Sequence, residues 1–327
     1  MTQVFLRLFA AVCTVLATVL ALAGASASAD DYPSRPVRVI VPFAPGGLND
    51  VLGRVVSAHL TERLGKQFIV ENKTGAGGVV GSDLVAKSAP NGYTLLIVSI
   101  AHAVNPALYK LPYDSLHAFA PISLFASSPN AIAVHPDVPA KTLKEFIALA
   151  KSKPGDIQYA SGGIGGSLHL GMELFKLVAG IDLLHVPFRG AGPALIDVAG
   201  GHSKAILATI ATLSPHVRSG KIRLLGVSSK TRNPNFPDVP TFEESGVVGY
   251  EAGNWIGIAA PAGTPPAILA RLNKEISEIQ DSADFRQKAD ADGAEIVKFT
   301  PAEFTSFMGR ELEKWSDVVK KANIKAE

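Results

Sequence analysis

Two rhythms of apolar positions alternate along the chain. Short, β-branched runs recur at residues 37–41, 67–71, 94–98, 131–135, 157–160, 183–187, 205–208, 222–228 and 256–260, and each reads as a strand. Between them, apolar residues return every three or four positions. That spacing predicts helices near residues 50–64, 78–87, 143–153, 167–179, 193–198, 266–281 and 301–321. Thr142-x-x-Glu145 and Thr300-x-x-Glu303 form capping-box patterns, the second with Pro301 at the first helical position. Strands alternating with helical patterns argue for an α/β protein whose parallel sheets are covered by helices.

The first 29 residues stand outside this rhythm. Arg7 is followed by an apolar run and by small residues ending Ala27-Ser28-Ala29, the pattern of a secretory signal cleaved after Ala29. The run is short for a membrane span and lacks a basic flank. The single cysteine, Cys13, lies inside it, so the mature chain has no thiol for a disulfide, a zinc site or a nucleophile. Removing 29 residues from 327 leaves 298, enough for about two domains. The net charge of +2 becomes +1 once Arg7 is gone. No basic patch or bilayer-length apolar run follows, which excludes the usual signatures of nucleic-acid and integral membrane proteins.

Candidate chemistry gathers where strands hand over to helices. After the strand at 37–41 come Phe43, Ala44, Pro45, Gly46 and Gly47, and then Leu48-Asn49-Asp50 opens a helix. The glycines let the backbone approach a ligand, and the first N–H groups of a helix favour an anion. Gly47, Leu48 and Asn49 would offer those groups, with Phe43 and Ala44 beside them. Asp50 would repel an anion, so it caps the helix or orders a water or a ligand donor. An ordinary strand-to-helix turn has the same pattern.

The stretch Ser161-Gly162-Gly163-Ile164-Gly165-Gly166-Ser167-Leu168-His169 repeats the arrangement. Ser161, Gly162, Gly166, Ser167 and His169 are its candidate ligand contacts; the alternative is a flexible connection. Ser167 also starts a pattern like a nucleophile elbow, but His169 replaces the final glycine and no spacing ties a base to Ser167, so a secreted serine hydrolase is the weaker reading. Gly75-Ala76-Gly77-Gly78-Val79-Val80 matches a dinucleotide loop imperfectly and reads as a close-packed turn. Ser99 and His102 end the third strand, where they should reach the cleft, although a lone His at such an end is commonly a packed or capping residue. Arg189, with Gly190 and Ala191, could pair a carboxylate or remain a solvated loop charge. The eight histidines show no metal-ligand spacing, and no cofactor is implied.

Tyr32-Pro33-Ser34-Arg35-Pro36, Val41-Pro42-Phe43-Ala44-Pro45-Gly46-Gly47 and Asp50 resemble the opening of the Bug family, the periplasmic solute-binding proteins of tripartite tricarboxylate transporters. Val70-Glu71-Asn72-Lys73, Gly75-Ala76-Gly77-Gly78, Ala89-Pro90-Asn91-Gly92-Tyr93-Thr94-Leu95, Leu111-Pro112-Tyr113-Asp114, His185-Val186-Pro187-Phe188-Arg189-Gly190, Pro237-Asp238-Val239-Pro240-Thr241 and Ala260-Pro261-Ala262-Gly263-Thr264-Pro265 follow in the family's order. The resemblance implies a two-lobed, type II periplasmic-binding-protein architecture. Each lobe would be a mostly parallel sheet flanked by helices, with the ligand cleft between the lobes. The chain would cross near residues 125–130 and return near 249–257, making lobe 1 residues 30–127 plus 253–327 and lobe 2 residues 128–252. It further implies a non-enzymatic periplasmic receptor that delivers a small organic carboxylate to a membrane permease, with a monomer as the default expectation; a receptor serving a sensor kinase would share the fold. One departure bears on the ligand. Where many family members carry Asp-Asn, this chain has Ala208-Thr209. Ala208 cannot receive an ammonium, so a non-amino organic acid of modest size is expected, with Thr209 able to make one hydrogen bond.

Overall fold

The computed structural model describes residues 32–291 and 293–325. The expected signal segment, Cys13 included, lies outside them. Strand β1 (Val37–Val41) is buried along nearly its whole length, as a run of β-branched residues requires. It leads to helix α1 (Leu48–Leu64), which ends at Gly65 in the left-handed conformation. Strand β2 (Phe68–Asn72), helix α2 (Val79–Ala86) and strand β3 (Thr94–Ser99) follow. β1 pairs in parallel with β2 and β3, the product of right-handed strand–helix–strand units. Helix α3 (Ile100–Leu108) starts directly where β3 stops.

Strand β4 (Phe119–Val134) is sixteen residues long and joins two sheets. Its first part pairs antiparallel with β9 (Gly253–Pro261), which itself pairs with β3. Its last part pairs antiparallel with β7 (Ala205–Thr209) and β8 (Arg223–Val227). Beyond β7, strands β5 (Gln158–Ser161) and β6 (Leu184–Pro187) complete a parallel set. The strand expected at residues 131–135 is therefore the end of a much longer one. Pro121 and Pro129 obscure the first part in the sequence, because proline interrupts a ladder. Register shifts between Pro121 and Ser123 and between Leu124 and Ala126 absorb the irregularity. The strand expected at 256–260 likewise starts earlier, at Gly253.

Helices α4 (Leu143–Ser152), α5 (Ser167–Ala179), α6 (Ala191–Ala199) and α7 (Ile210–Arg218) cover the second sheet; α8 (Pro266–Ile279), α9 (Ala283–Ala291) and α10 (Pro301–Lys321) return to the first. A short strand, β10 (Glu295–Ile296), pairs with β4. The sequence pattern did not predict α3, α7 or α9. Pro106 and Pro215 lie inside α3 and α7, and both helices begin without a turn after a strand, so the Ser99 and Thr209 that precede them read as strand ends rather than caps.

α10 holds the two halves together. Phe304, Met308, Glu311, Trp315 and Val318 recur at three- and four-residue spacing and are buried. The helix packs on β4, α3 and α5. At Gly257 of β9 a Cβ would lie 2.7 Å from the Ser123 carbonyl and closer still to the Phe304 ring, so only glycine lets strand and helix approach this far. Its capping box forms in full: the Thr300 hydroxyl accepts from the Glu303 N–H, and the Glu303 carboxylate accepts from the Thr300 N–H at 2.8 Å. The Thr142 box closes differently, since Glu145 reaches the N–H of Lys141. Thr300→Ala should destabilise the protein by about 1 kcal/mol, read as a shift of the urea midpoint without a change in slope.

Candidate functional site

A cleft of about 410 Å³ opens between the two sheets. Three helix N-termini point into it: Asn49 in the first turn of α1, Ser99 to Ala101 at the start of α3, and Gly166 to Leu168 at the start of α5. The residues before these helices are Gly47, Ser99 and Gly166, and none makes a side-chain cap. By contrast, Thr142 and Thr300, away from the cleft, and Thr209, which lines it before α7, cap their helices with their hydroxyls. The first-turn N–H groups of α1, α3 and α5 thus remain donors for something else.

Of the residues expected at the site, Phe43, Asn49, Ser99, Gly166, Ser167 and Thr209 line the cleft. Ala44 and Gly47 are exposed in the turn beside it, while Leu48 packs into the core around β1. Thr209 begins α7, and its hydroxyl is bonded to Thr212 at 2.9 Å. Asp50 is buried and points away from the cleft. Its carboxylate accepts from the Gly46 N–H and Arg54 at 3.0 Å and from Asn72 at 2.8 Å. Burial opposes its charge, but these hydrogen bonds outweigh burial and hold the carboxyl below its ordinary value. Asn72 also donates to the Phe43 carbonyl, so Asp50 and Asn72 together fold the 43–47 turn.

His102 lies on α3 rather than at a strand end, and it too faces inward. Its Nε2 is 2.9 Å from the Ser115 carbonyl, and Phe119 meets its ring edge-on at 4.8 Å. Burial pushes its pKa down to about 4.

The glycine loop 162–166 rests on a second buried group. Ser161 Oγ is 2.6 Å from His185 Nε2, and His169 Nδ1 accepts from the Gly165 N–H at 3.0 Å. The two imidazoles stack 3.9 Å apart, with Tyr159 stacked on His185. Tyr159 donates to Glu173, which pairs with Lys176. Neither histidine serves Ser167: each one holds the loop or the strand beneath it. Arg189, Gly190 and Ala191 support the loop from behind, where the Gly190 N–H donates to the Gly162 carbonyl at 3.0 Å and Arg189 itself is exposed. Ser161, Gly162, His169 and residues 189–191 therefore shape the loop without lining the cleft.

A family model described as the tripartite tricarboxylate transporter family receptor matches residues 52–324. The protein BugT of Bordetella pertussis is 38% identical over 316 residues, covering 95% of this chain and 97% of BugT. The chain belongs to the tripartite tricarboxylate transporter receptor family.

Solved relatives agree. The structure of R. palustris Rpa4515 with adipate shares 32% identity at a TM-score of 0.74, covering 90% of this chain and 99% of that one. MatC from Rhodopseudomonas palustris with bound malate shares 33% at 0.71, covering 88% and 100%. The two-lobed α/β architecture of periplasmic binding proteins, expected from the sequence, is the fold of this receptor. Several residues lining the receptor's cleft escaped sequence reasoning: Asn105 and Leu108 on α3, Tyr109 just after it, Ile164 at the loop tip, and Asn254 on β9. Recognising α3 would have exposed Asn105 and Leu108, which share a helix face with Ala101. Gly77, from the turn set aside as close-packed, also reaches the cleft, where Asn105 donates to its carbonyl at 3.0 Å.

Proposed function

We propose that this receptor captures a small, non-amino organic carboxylate in the periplasm and delivers it to the membrane permease of a tripartite transporter. The observation that carries the reading is the convergence of three uncapped helix N-termini on one cleft. Each such end favours an anion by up to ~1–2 kcal/mol in partly buried geometry, and the free N–H groups supply hydrogen bonds. Among the described residues lining the cleft there is no Lys, Arg, His, Asp or Glu. An anion held by neutral donors needs no cationic partner, whereas an amino acid's ammonium needs an acceptor charge. Ala208, where many relatives carry Asp, is fully buried and offers none. Relatives bound to adipate and malate support the carboxylate class.

The chain's two crossings, along β4 and β9, support lobes of residues 30–127 plus 253–327 and 128–252. α1 and α3 come from the first and α5 from the second, so a carboxylate that contacts both favours the closed form. The protein acts as a monomer after cleavage at Ala29, and the reading assigns it no chemistry of its own.

Thermal unfolding of the purified protein against a panel of small carboxylates and amino acids tests this. A true cargo at a hundred times its dissociation constant adds ~2.7 kcal/mol, several degrees at roughly 2–4 °C per kcal/mol. Carboxylates should raise the midpoint and aspartate and glutamate should not. The proposal fails if the amino acids stabilise as much as the simple dicarboxylates, or if refolded, ligand-free protein responds to no carboxylate.

A further inference from the structure

The cleft changes character along its length. α3 forms one wall and runs outward from the donor groups at its first turn. Val104, Asn105 and Leu108 follow Ala101 on the part of α3 that lines the cleft, and Tyr109 lines it just past the helix end. At ~1.5 Å per residue, Leu108 stands about 10 Å beyond Ala101. Ile164 and Leu168 line the cleft from the opposite lobe. A Cβ on Gly165 would fall 2.8 Å from Leu108 Cδ1, so the loop tip and the end of α3 already meet. Tyr109 and Ile164 are 41% and 39% exposed, so each offers apolar surface to whatever enters the cleft.

A carboxylate anchored at the helix N-termini must direct the rest of its body along this wall. A second carboxylate placed beyond the N-terminus of α5 would leave water for apolar side chains with no charged partner, which is unfavourable. An apolar segment would instead shed water against the same surface. Building on the carboxylate reading above, we propose that the cargo is a carboxylate with an apolar body, seated against Val104, Leu108, Tyr109 and Ile164, rather than a short hydroxylated di- or tricarboxylate.

Titration calorimetry of the purified protein with butanoate, hexanoate, octanoate and malate tests the inference. Each added methylene should tighten the dissociation constant about fourfold, and octanoate should bind more tightly than malate. Leu108→Asn and Ile164→Asn should each reduce that gain to about twofold or less per methylene. Ile164 is at an exposed loop tip, so its variant reports even if Leu108→Asn fails to fold. Malate binding tightly beside a flat alkanoate series would overturn the apolar body while leaving carboxylate capture intact. Absence of binding across the alkanoates and malate would overturn both.

Discussion

Alanine at Glu311 should lower the unfolding midpoint by about 10 °C. Glu311 lies on α10 and is 5% exposed. One carboxylate oxygen accepts from two indoles, Trp255 Nε1 at 2.8 Å and Trp315 Nε1 at 2.9 Å. The other pairs with Lys314, whose ammonium also donates to the Glu251 carbonyl. Trp255 lies on β9, the returning crossing, and Trp315 is fully buried in the helix. The carboxylate therefore ties the crossing strand to the helix that spans both halves. Truncating it leaves two buried N–H groups without their acceptor and an ammonium without its counter-charge. Removing one partner of such a buried set costs ~3–5 kcal/mol, and a chain of this size loses roughly 2–4 °C per kcal/mol. Glu311→Gln keeps an acceptor for the indoles and should lose about half as much. Calorimetry of both variants decides it: an alanine variant within about 1 kcal/mol of the parent would remove Glu311 from this role.

Stability should fall steeply with acidification from pH 6.5 to 4, before most carboxylates titrate. Burial pushes His102, His169 and His185 down to about 4. Lys176 lowers His169 further; His169 and Lys176 lower His185, with Glu173 opposing. The unfolded imidazole titrates near 6.5. Above that value neither state is protonated, and the neutral rings contribute fully. Between 6.5 and 4 the unfolded chain takes up protons that the folded chain refuses, so stability drops as pH falls and levels off below 4. His102 alone accounts for about 3 kcal/mol over that window. His169 and His185 add to it, less than additively, because stacked rings resist a second charge. Asp50 and Glu71 titrate below their ordinary values, so their contribution is present above about pH 4 and lost beneath it. Urea unfolding between pH 7 and 4.5 isolates the histidines. His102→Leu should flatten the slope by about one proton at its steepest, and a flat profile in the parent would contradict the burial of all three. Carboxylate affinity should hold through that window and weaken only as pH falls through about 4, where the folded His169 takes its proton and can no longer accept the Gly165 N–H that shapes the loop.

Much of this receptor was legible before its tertiary structure. β1, the turn after it and α1 are encoded within thirty residues by β-branched runs, paired glycines and helical spacing. The Thr300 cap and the glycine loop before α5 are equally local, because turns and helix ends are set by neighbouring dihedrals and hydrogen bonds. Ordered motifs then carried the family and, with it, the two-lobed plan.

Where side chains face was a different matter. Asp50 and His102 sit within a few residues of the cleft, yet both turn inward, since Asn72 and Arg54 wait for one and Ser115 for the other. His169 and His185, sixteen residues apart, become a stacked pair only when β6 aligns with β5 beside α5. β4 belongs to two sheets because its partners come from residues 205–261 and 295–296, which no local pattern announces. Asn254 meets the cleft through the pairing of β9 with β4. Elements follow from short-range backbone energetics; a cleft is made of surfaces that distant elements leave uncovered, and only long-range packing selects them.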